Sequence, residues 1–295
     1  MDLQTSDSKL AFLERELQKY AKGRIARFVR KPLRTIVPHL MRRIGLARDT
    51  SLDLFWGARF YGVLPEAVTS MVWRFGYFDP GTSINILREL KEGGVFIDVG
   101  AHFGYFTMLA SSIVGEHGKV VAIEAMPSTF ERLQKNIAEN GLEHNCTAIN
   151  CAAFDKLTEL EFSDYGLAFS SLNSAFGIRN RSVRSNEPVR RISIKTETID
   201  SLVSRLELDT VDVVKIDAES SEYFVLNGMR KLLEEKHPTL IVELGDEGVV
   251  GAGKTTNDIL RLLEGFGYSA YELRAGKLVP LEIRDNYPYC NLVFK

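Results

Sequence analysis

Val95-Phe-Ile-Asp-Val-Gly-Ala-His-Phe-Gly104 is the stretch on which the fold turns. Val95–Val99 is a short apolar, β-branched run broken only by Asp98. That is the pattern of a strand buried on both faces. Gly100 and Gly104 follow at G-x-x-x-G spacing. Glycine there permits a sharp turn and close approach of backbone to a neighbour or ligand. Tyr105–Val114 then reads as a helix, whose start leaves backbone N–H groups without partners. Strand, glycine turn and helix together predict a nucleotide-type site at a strand end.

The second strand sharpens that reading. Lys119–Ile123 ends in Glu124, about 20 residues beyond the turn, as in dinucleotide sites. A carboxylate there accepts both ribose hydroxyls of an adenosine. The turn lacks the three glycines of G-x-G-x-x-G that admit a pyrophosphate. It has Asp98 two residues before the first glycine instead. S-adenosylmethionine has no phosphate and carries a sulfonium, an amino group and a carboxylate. An acid at the strand end therefore favours adenosylmethionine over NAD.

Working outward, strands and helices alternate. The helix predicted over 127–140 starts with Pro127 and ends before Gly141. Further strands are expected at 146–152, 211–217, Thr239–Leu244, 268–273 and Cys290–Phe294, with helices at 222–235 and 257–265. Alternation of this kind makes a mostly parallel sheet with helices on both faces. The chain divides into a basic amphipathic arm (1–50), a helical, aromatic-rich lead-in (51–92) and an α/β domain (93–295). The polar, arginine-bearing segment 164–191 interrupts that domain as an insertion. Insertions of this length are commonly binding loops.

Four blocks now carry a resemblance. FIDVGAHFGYFT, VVAIEAMPSTFERLQKNIAEN, VVKIDAESSEYFVLNG and LIVEL resemble the FkbM family of methyltransferases, in order and spacing, over residues 70–295. The final CNLVF is similar to the family's closing strand. The resemblance implies a class I methyltransferase fold, Rossmann-like, with a seven-stranded, mostly parallel sheet whose last strand is antiparallel. It implies S-adenosyl-L-methionine as donor and a hydroxyl as acceptor, on a carbohydrate, glycolipid or related natural product. By position it implies a first cofactor loop of Asp98, Gly100, Ala101, His102 and Gly104. Glu124 would hold the ribose, with Ala125 and Met126 beside the adenine. Asn150, Cys151 and Ala152 would lie at the third strand's end, and Asp217 at the methionine end. Two positions depart from the family: His102 stands where Asn is usual, and Asp217-Ala-Glu219-Ser220-Ser221-Glu222 lacks the glycine of D-x-E-G-x-E.

Methyl transfer needs an aligned oxygen and removal of its proton. Asp217, Glu219, Glu222 and Glu243 fall at strand ends, where open α/β sheets bind ligands, and are the catalytic candidates. Each could act as a base or hold a divalent cation, although no metal site is assigned. Acids beside a helix start also stabilise it, an alternative reading for Glu219 and Glu222. Lys215, inside the apolar run 213–217, requires an acidic partner. A rival motif lies at 248–255, where Gly248 to Thr255 satisfies the P-loop pattern. Only 40 residues follow Thr255, too few for the rest of an NTPase core. A P-loop nucleotide-binding protein and a non-catalytic protein of methyltransferase fold are the alternatives.

Charge is uneven. Residues 1–48 carry 12 Lys or Arg against 4 Asp or Glu, and the remainder 25 against 35. A basic amphipathic stretch over 20–48 suits peripheral contact with an anionic membrane. No nucleic-acid motif accompanies it. No run of 18 apolar residues and no signal core is present, and the three cysteines have no disulfide or zinc spacing. The expectation is a cytoplasmic protein that acts on a small-molecule or glycan acceptor.

Overall fold

The computed structural model describes residues 5–20, 31–175, 190–245, 253–274, 276–288 and 290–295. Two helices open it, α1 (Ser6–Tyr20) and α2 (Pro32–Arg43). An antiparallel hairpin follows, β1 (Arg48–Asp53) with β2 (Arg59–Leu64), then α3 (Ala67–Phe75) and α4 (Pro80–Glu89). The α/β part runs β3 (Val95–Val99), α5 (Tyr105–Val114), β4 (Lys119–Ile123), α6 (Pro127–Glu139), β5 (Cys146–Ile149), β6 (Ala152–Ala153), β7 (Glu159–Asp164) and β8 (Arg190–Glu197). It continues with α7 (Ile199–Arg205), β9 (Val213–Ile216), α8 (Glu222–Asn227), α9 (Arg230–Glu235), β10 (Thr239–Leu244), α10 (Thr256–Glu264), β11 (Ala270–Arg274), β12 (Lys277–Pro280) and β13 (Cys290–Phe294).

Among the described residues the central sheet has eight strands, ordered β12-β11-β13-β10-β9-β3-β4-β5. β3, β4, β5, β9 and β10 are mutually parallel, and β13 inserts antiparallel between β10 and β11. Seven of these strands meet the class I expectation. The eighth, β12, folds back on β11 as an edge hairpin through Gly276, whose φ is 80°.

The apolar runs are explained by burial on both faces. Phe96, Val120, Val213, Ile241 and Val293 join one core with α4, α5, α6 and the hairpin. Ile97, Val99, Val121, Val214, Ile216, Leu240 and Val242 join the other with α7 to α10. α6 carries Thr129, Leu133, Asn136 and Ile137 on its buried stripe, the spacing of an amphipathic helix. Asn136 ties three elements together: its amide accepts from Tyr61 N and donates to the carbonyls of Tyr61 and Phe103.

Two expectations change. The lead-in 51–92 is only partly helical, because residues 48–64 form the β1–β2 hairpin. β1 is polar and exposed, so its own sequence has no apolar alternation. It is a strand because it pairs with β2, with Arg59 bridged to Asp53 at 2.9 Å and Gly57 turning at φ 95°. Part of the arm also belongs to the body. In α1, Leu13 is fully buried, Glu16 accepts from the Tyr77 hydroxyl, and Lys9 Nζ donates to the Ser112 carbonyl and hydroxyl.

Candidate active site

A cleft of about 310 Å³ opens at the carboxyl ends of β3, β4, β9 and β10. That volume suits a small organic ligand. Gly100, Ala101, His102, Glu124, Ala125, Met126, Ala152, Asp217, Glu219 and Glu243 all line it.

The glycine turn is built by close contact. Gly100 has φ 72°, and a Cβ there would lie 1.8 Å from the Asp217 carbonyl oxygen. Gly104 has φ 89°, and a Cβ would meet Leu133 at 2.6 Å. Backbone contact and left-handed φ therefore require glycine at Gly100, and at Gly104 the left-handed φ favours it. His102, at φ 54°, is a non-glycine residue in the left-handed region.

Glu124 anchors the turn to β4. One carboxylate oxygen accepts from His102 N at 2.9 Å and the other from Met126 N at 3.0 Å. Burial pushes its pKa up, and the His102 charge and these two N–H groups oppose that rise. Asn150 is not among the lining residues. Its amide donates to the carbonyls of Glu124 and Ala125, so it shapes the loop after β4 from outside the cleft.

Asp98 and Lys215 are direct cross-strand partners on β3 and β9. Lys215 Nζ lies 3.3 Å from Asp98 and 3.6 Å from Asp217, and donates to the Gly100 carbonyl at 3.1 Å. Asp98 is fully buried and also accepts from the Thr107 hydroxyl at 2.7 Å. It therefore lies beneath the cleft rather than lining it. Burial alone would lower the lysine pKa, but Asp98, Asp217 and Glu243 together raise it above its ordinary value. Lys215 is thus a fixed cation in the cleft floor, which answers the demand of an acidic partner for a lysine in an apolar strand.

The four catalytic candidates separate. Asp217, Glu219 and Glu243 line the cleft. Glu222 does not. It is fully buried, and its carboxylate accepts from Ala218 N and Ser220 N. That corrects its assignment, because the carboxylate holds the turn at Glu219 and Ser220, both left-handed, of which Ser220 stands where the family motif has glycine.

Several lining residues escape a sequence reading. Ala67 and Val68 come from α3, Phe78 from the loop before α4, and Tyr105 and Phe106 from α5. Phe162, Ser170, Ser171 and Asn173 come from β7 and the described part of the insertion. Ser170 meets His102 Nε2 at 2.7 Å. Asp79, which caps α4 just before Pro80, accepts from Asn291 at 3.0 Å. Its pKa is raised by burial, with a smaller push from Asp217 and opposition from the Thr82 and Gly81 bonds. The Asp-Pro-Gly cap was the one sequence signal for this residue.

Most of the 248–255 motif and Arg179, Arg181 and Arg184 lie outside the described residues. Thr255 is committed to a capping box with Asp258. Lys254 Nζ stands 4.3 Å from the Tyr223 ring centroid. Among the described residues no group of three His, Cys, Asp or Glu is arranged to hold a metal ion, and no helix is long and apolar enough to cross a membrane.

The residues fit adenosylmethionine. The turn at Gly100 leaves no room for a side chain, the buried carboxylate of Glu124 ends the next strand, and acids with a fixed cation stand at the other end of the cleft. The strand order and the cleft at the parallel strand ends define a class I methyltransferase architecture. The model of the methyltransferase FkbM domain matches residues 98–270. The chain therefore belongs to the FkbM family of S-adenosylmethionine-dependent methyltransferases. It is similar to hexuronic acid methyltransferase AglP of Haloferax volcanii, 30% identical over 181 residues, covering 60% of this chain and 64% of that protein. It is also similar to a protein-L-isoaspartate O-methyltransferase of Methanococcus maripaludis, 27% identical over 124 residues, 37% of this chain and 58% of that protein. The matches thus span less than two thirds of either relative's length. A solved structure titled methyltransferase FkbM from Methylobacillus flagellatus aligns with TM-score 0.43 and 14% identity, over 79% of this chain and 56% of that one. The family match runs through residues 248–255, so the P-loop reading loses its ground.

Proposed function

We propose that this protein transfers a methyl group from S-adenosylmethionine to a hydroxyl of a carbohydrate or glycolipid acceptor. The observation that carries the reading is the single cleft that joins the Gly100 turn and Glu124 to Asp217, Glu219 and Glu243. S-adenosylmethionine, when bound, supplies the electrophilic methyl. Glu124, Ala125 and Met126 would hold the adenosine end, and Gly100, Ala101 and Asp217 the methionine end. Lys215 and Asp98 fix β3 and β9 in register beneath. The acceptor side would be walled by Phe78, Tyr105 and Phe106, flat apolar surfaces of the kind that sugar rings stack upon. An acid from Asp217, Glu219 and Glu243 accepts the hydroxyl proton. The sugar class is supported by AglP, which bears that substrate in its name.

Incubation with methyl-labelled adenosylmethionine and uronic-acid-containing glycans tests the reading. Base-stable label on the glycan is expected. Base-labile label on isoaspartyl peptides, or no adenosylmethionine binding by calorimetry, would overturn it.

A further inference from the structure

α2 has two unlike sides. Pro38 and Met41 are buried. Arg34 donates to the Trp73 carbonyl and Arg42 to the Pro65 carbonyl, each at 2.9 Å, so the helix is pinned to the body. The outer side carries Leu33, Ile36, Val37 and Leu40, continued past the helix by Ile44 and Leu46. All six are between 40% and 75% exposed. Among the described residues only two other large apolar side chains, Leu157 and Ile283, are similarly exposed. The spacing 33, 36, 37, 40, 44 aligns one stripe along a helix. A contiguous exposed stripe of this kind marks an interaction surface.

Charge selects the occupant. Residues 17–48 contain ten Lys or Arg and no Asp or Glu. Arg43 and Arg48 are exposed beside the stripe. Apolar side chains in a segment whose only charged residues are cations match a surface that is negatively charged at its head groups and apolar just beneath. We propose that this stripe seats the protein on an anionic bilayer surface. The Arg42 guanidinium also lies 6.0 Å from the Phe169 ring centroid, next to Ser170, which lines the cleft. Through its body-facing side the helix therefore packs beside the cleft rim, so that a protein seated by the outer stripe would hold the cleft close to an acceptor at the membrane. Seating itself does not depend on the methyl-transfer reading.

The test is co-sedimentation of the full chain with phosphatidylcholine vesicles, with and without phosphatidylglycerol. Binding to the anionic vesicles is expected, weakened about tenfold or more by removing the anionic lipid and reduced by salt. The combined change Leu33→Ser, Ile36→Ser, Leu40→Ser and Ile44→Ser should lower binding by a similar factor, with Tm and adenosylmethionine affinity unchanged. A second variant, Arg43→Glu with Arg48→Glu, should do the same without touching the apolar stripe. No pelleting, or equal pelleting without anionic lipid, overturns the proposal. So does a dimer in sedimentation equilibrium that the serine variant dissolves.

Discussion

Gly100 rests directly on the backbone carbonyl of Asp217, so closely that a Cβ would stand 1.8 Å from the oxygen. These residues end the neighbouring parallel strands β3 and β9. Their contact sets the distance between the glycine turn after β3 and the loop after β9 that carries Asp217 and Glu219. Lys215 reinforces it by reaching the Gly100 carbonyl from the β9 side.

Gly100→Ala should therefore damage the site through geometry alone. The new methyl collides with backbone, which has nowhere to go, and the residue must hold φ 72°. A loss of about 3 kcal/mol or more is expected, the range of severe steric and backbone changes. Urea unfolding measures it, and calorimetry should show adenosylmethionine affinity lost even where the variant stays folded. A variant with native affinity would mean that the two loops are not coupled.

Glu124 makes two contacts that it can keep as an amide only in part. Glu124→Gln removes the charge and offers an NH2 group to one of two N–H donors, His102 or Met126. Hydrogen bonds to charged groups contribute about 1.5–3 kcal/mol, so the Kd for adenosylmethionine should rise about ten- to a hundredfold. Because burial raises the Glu124 pKa, the wild-type affinity should fall as pH drops through a range above that of ordinary glutamates. The variant should lose that dependence. Calorimetry across pH checks both statements.

The half of the cleft built by Gly100 and Glu124 was legible because its signals are local. Val95 to Gly104 holds strand, turn and helix within ten residues, and Glu124 ends the next strand. The acceptor half was not, because its walls meet only in three dimensions. Ser170 reaches His102 from the insertion, and Phe78 from the loop before α4 meets the Tyr105 ring of α5. No periodicity records such meetings. Glu222 shows a different limit: an acid beside a helix start reads the same whether it faces a ligand or its own turn. The β1–β2 hairpin was missed because β1 draws its strand character from a partner instead of from its own pattern.

Lys9 gives the protein a stability that depends on alkaline pH. Burial lowers its pKa from 10.5 to about 8, with the carbonyl and hydroxyl of Ser112 accepting from the ammonium. Below pH 8 the lysine is charged in both folded and unfolded chains, and the folded state bears the desolvation. Between about pH 8 and 10.5 the unfolded chain binds more protons, so stability should rise with pH, by at most about 3 kcal/mol. Lys9→Met should flatten that rise and stabilise the protein near pH 7. Urea midpoints from pH 7 to 10 decide it, and identical slopes for the two proteins would exclude the effect.

Glu243 is the carboxylate best placed to take the acceptor's proton. It projects from β10, two residues beyond Ile241, which pairs with Lys215, so both side chains share one sheet face. It is only 9% exposed yet lines the cleft, and a strand holds it more firmly than a loop holds Glu219. Asp217 lies 3.6 Å from Lys215, and its backbone carbonyl is packed against Gly100. Glu243→Gln should lower kcat about a hundredfold or more, the usual contribution of a general base, with the Kd for adenosylmethionine within about threefold of wild type. It should also remove the acid limb of the kcat–pH profile, a readout that a merely structural role would not move. Glu219→Gln should leave that limb in place. If Glu219→Gln abolishes the limb and Glu243→Gln does not, the proton goes to the loop residue, and the strand glutamate serves only to hold Lys215.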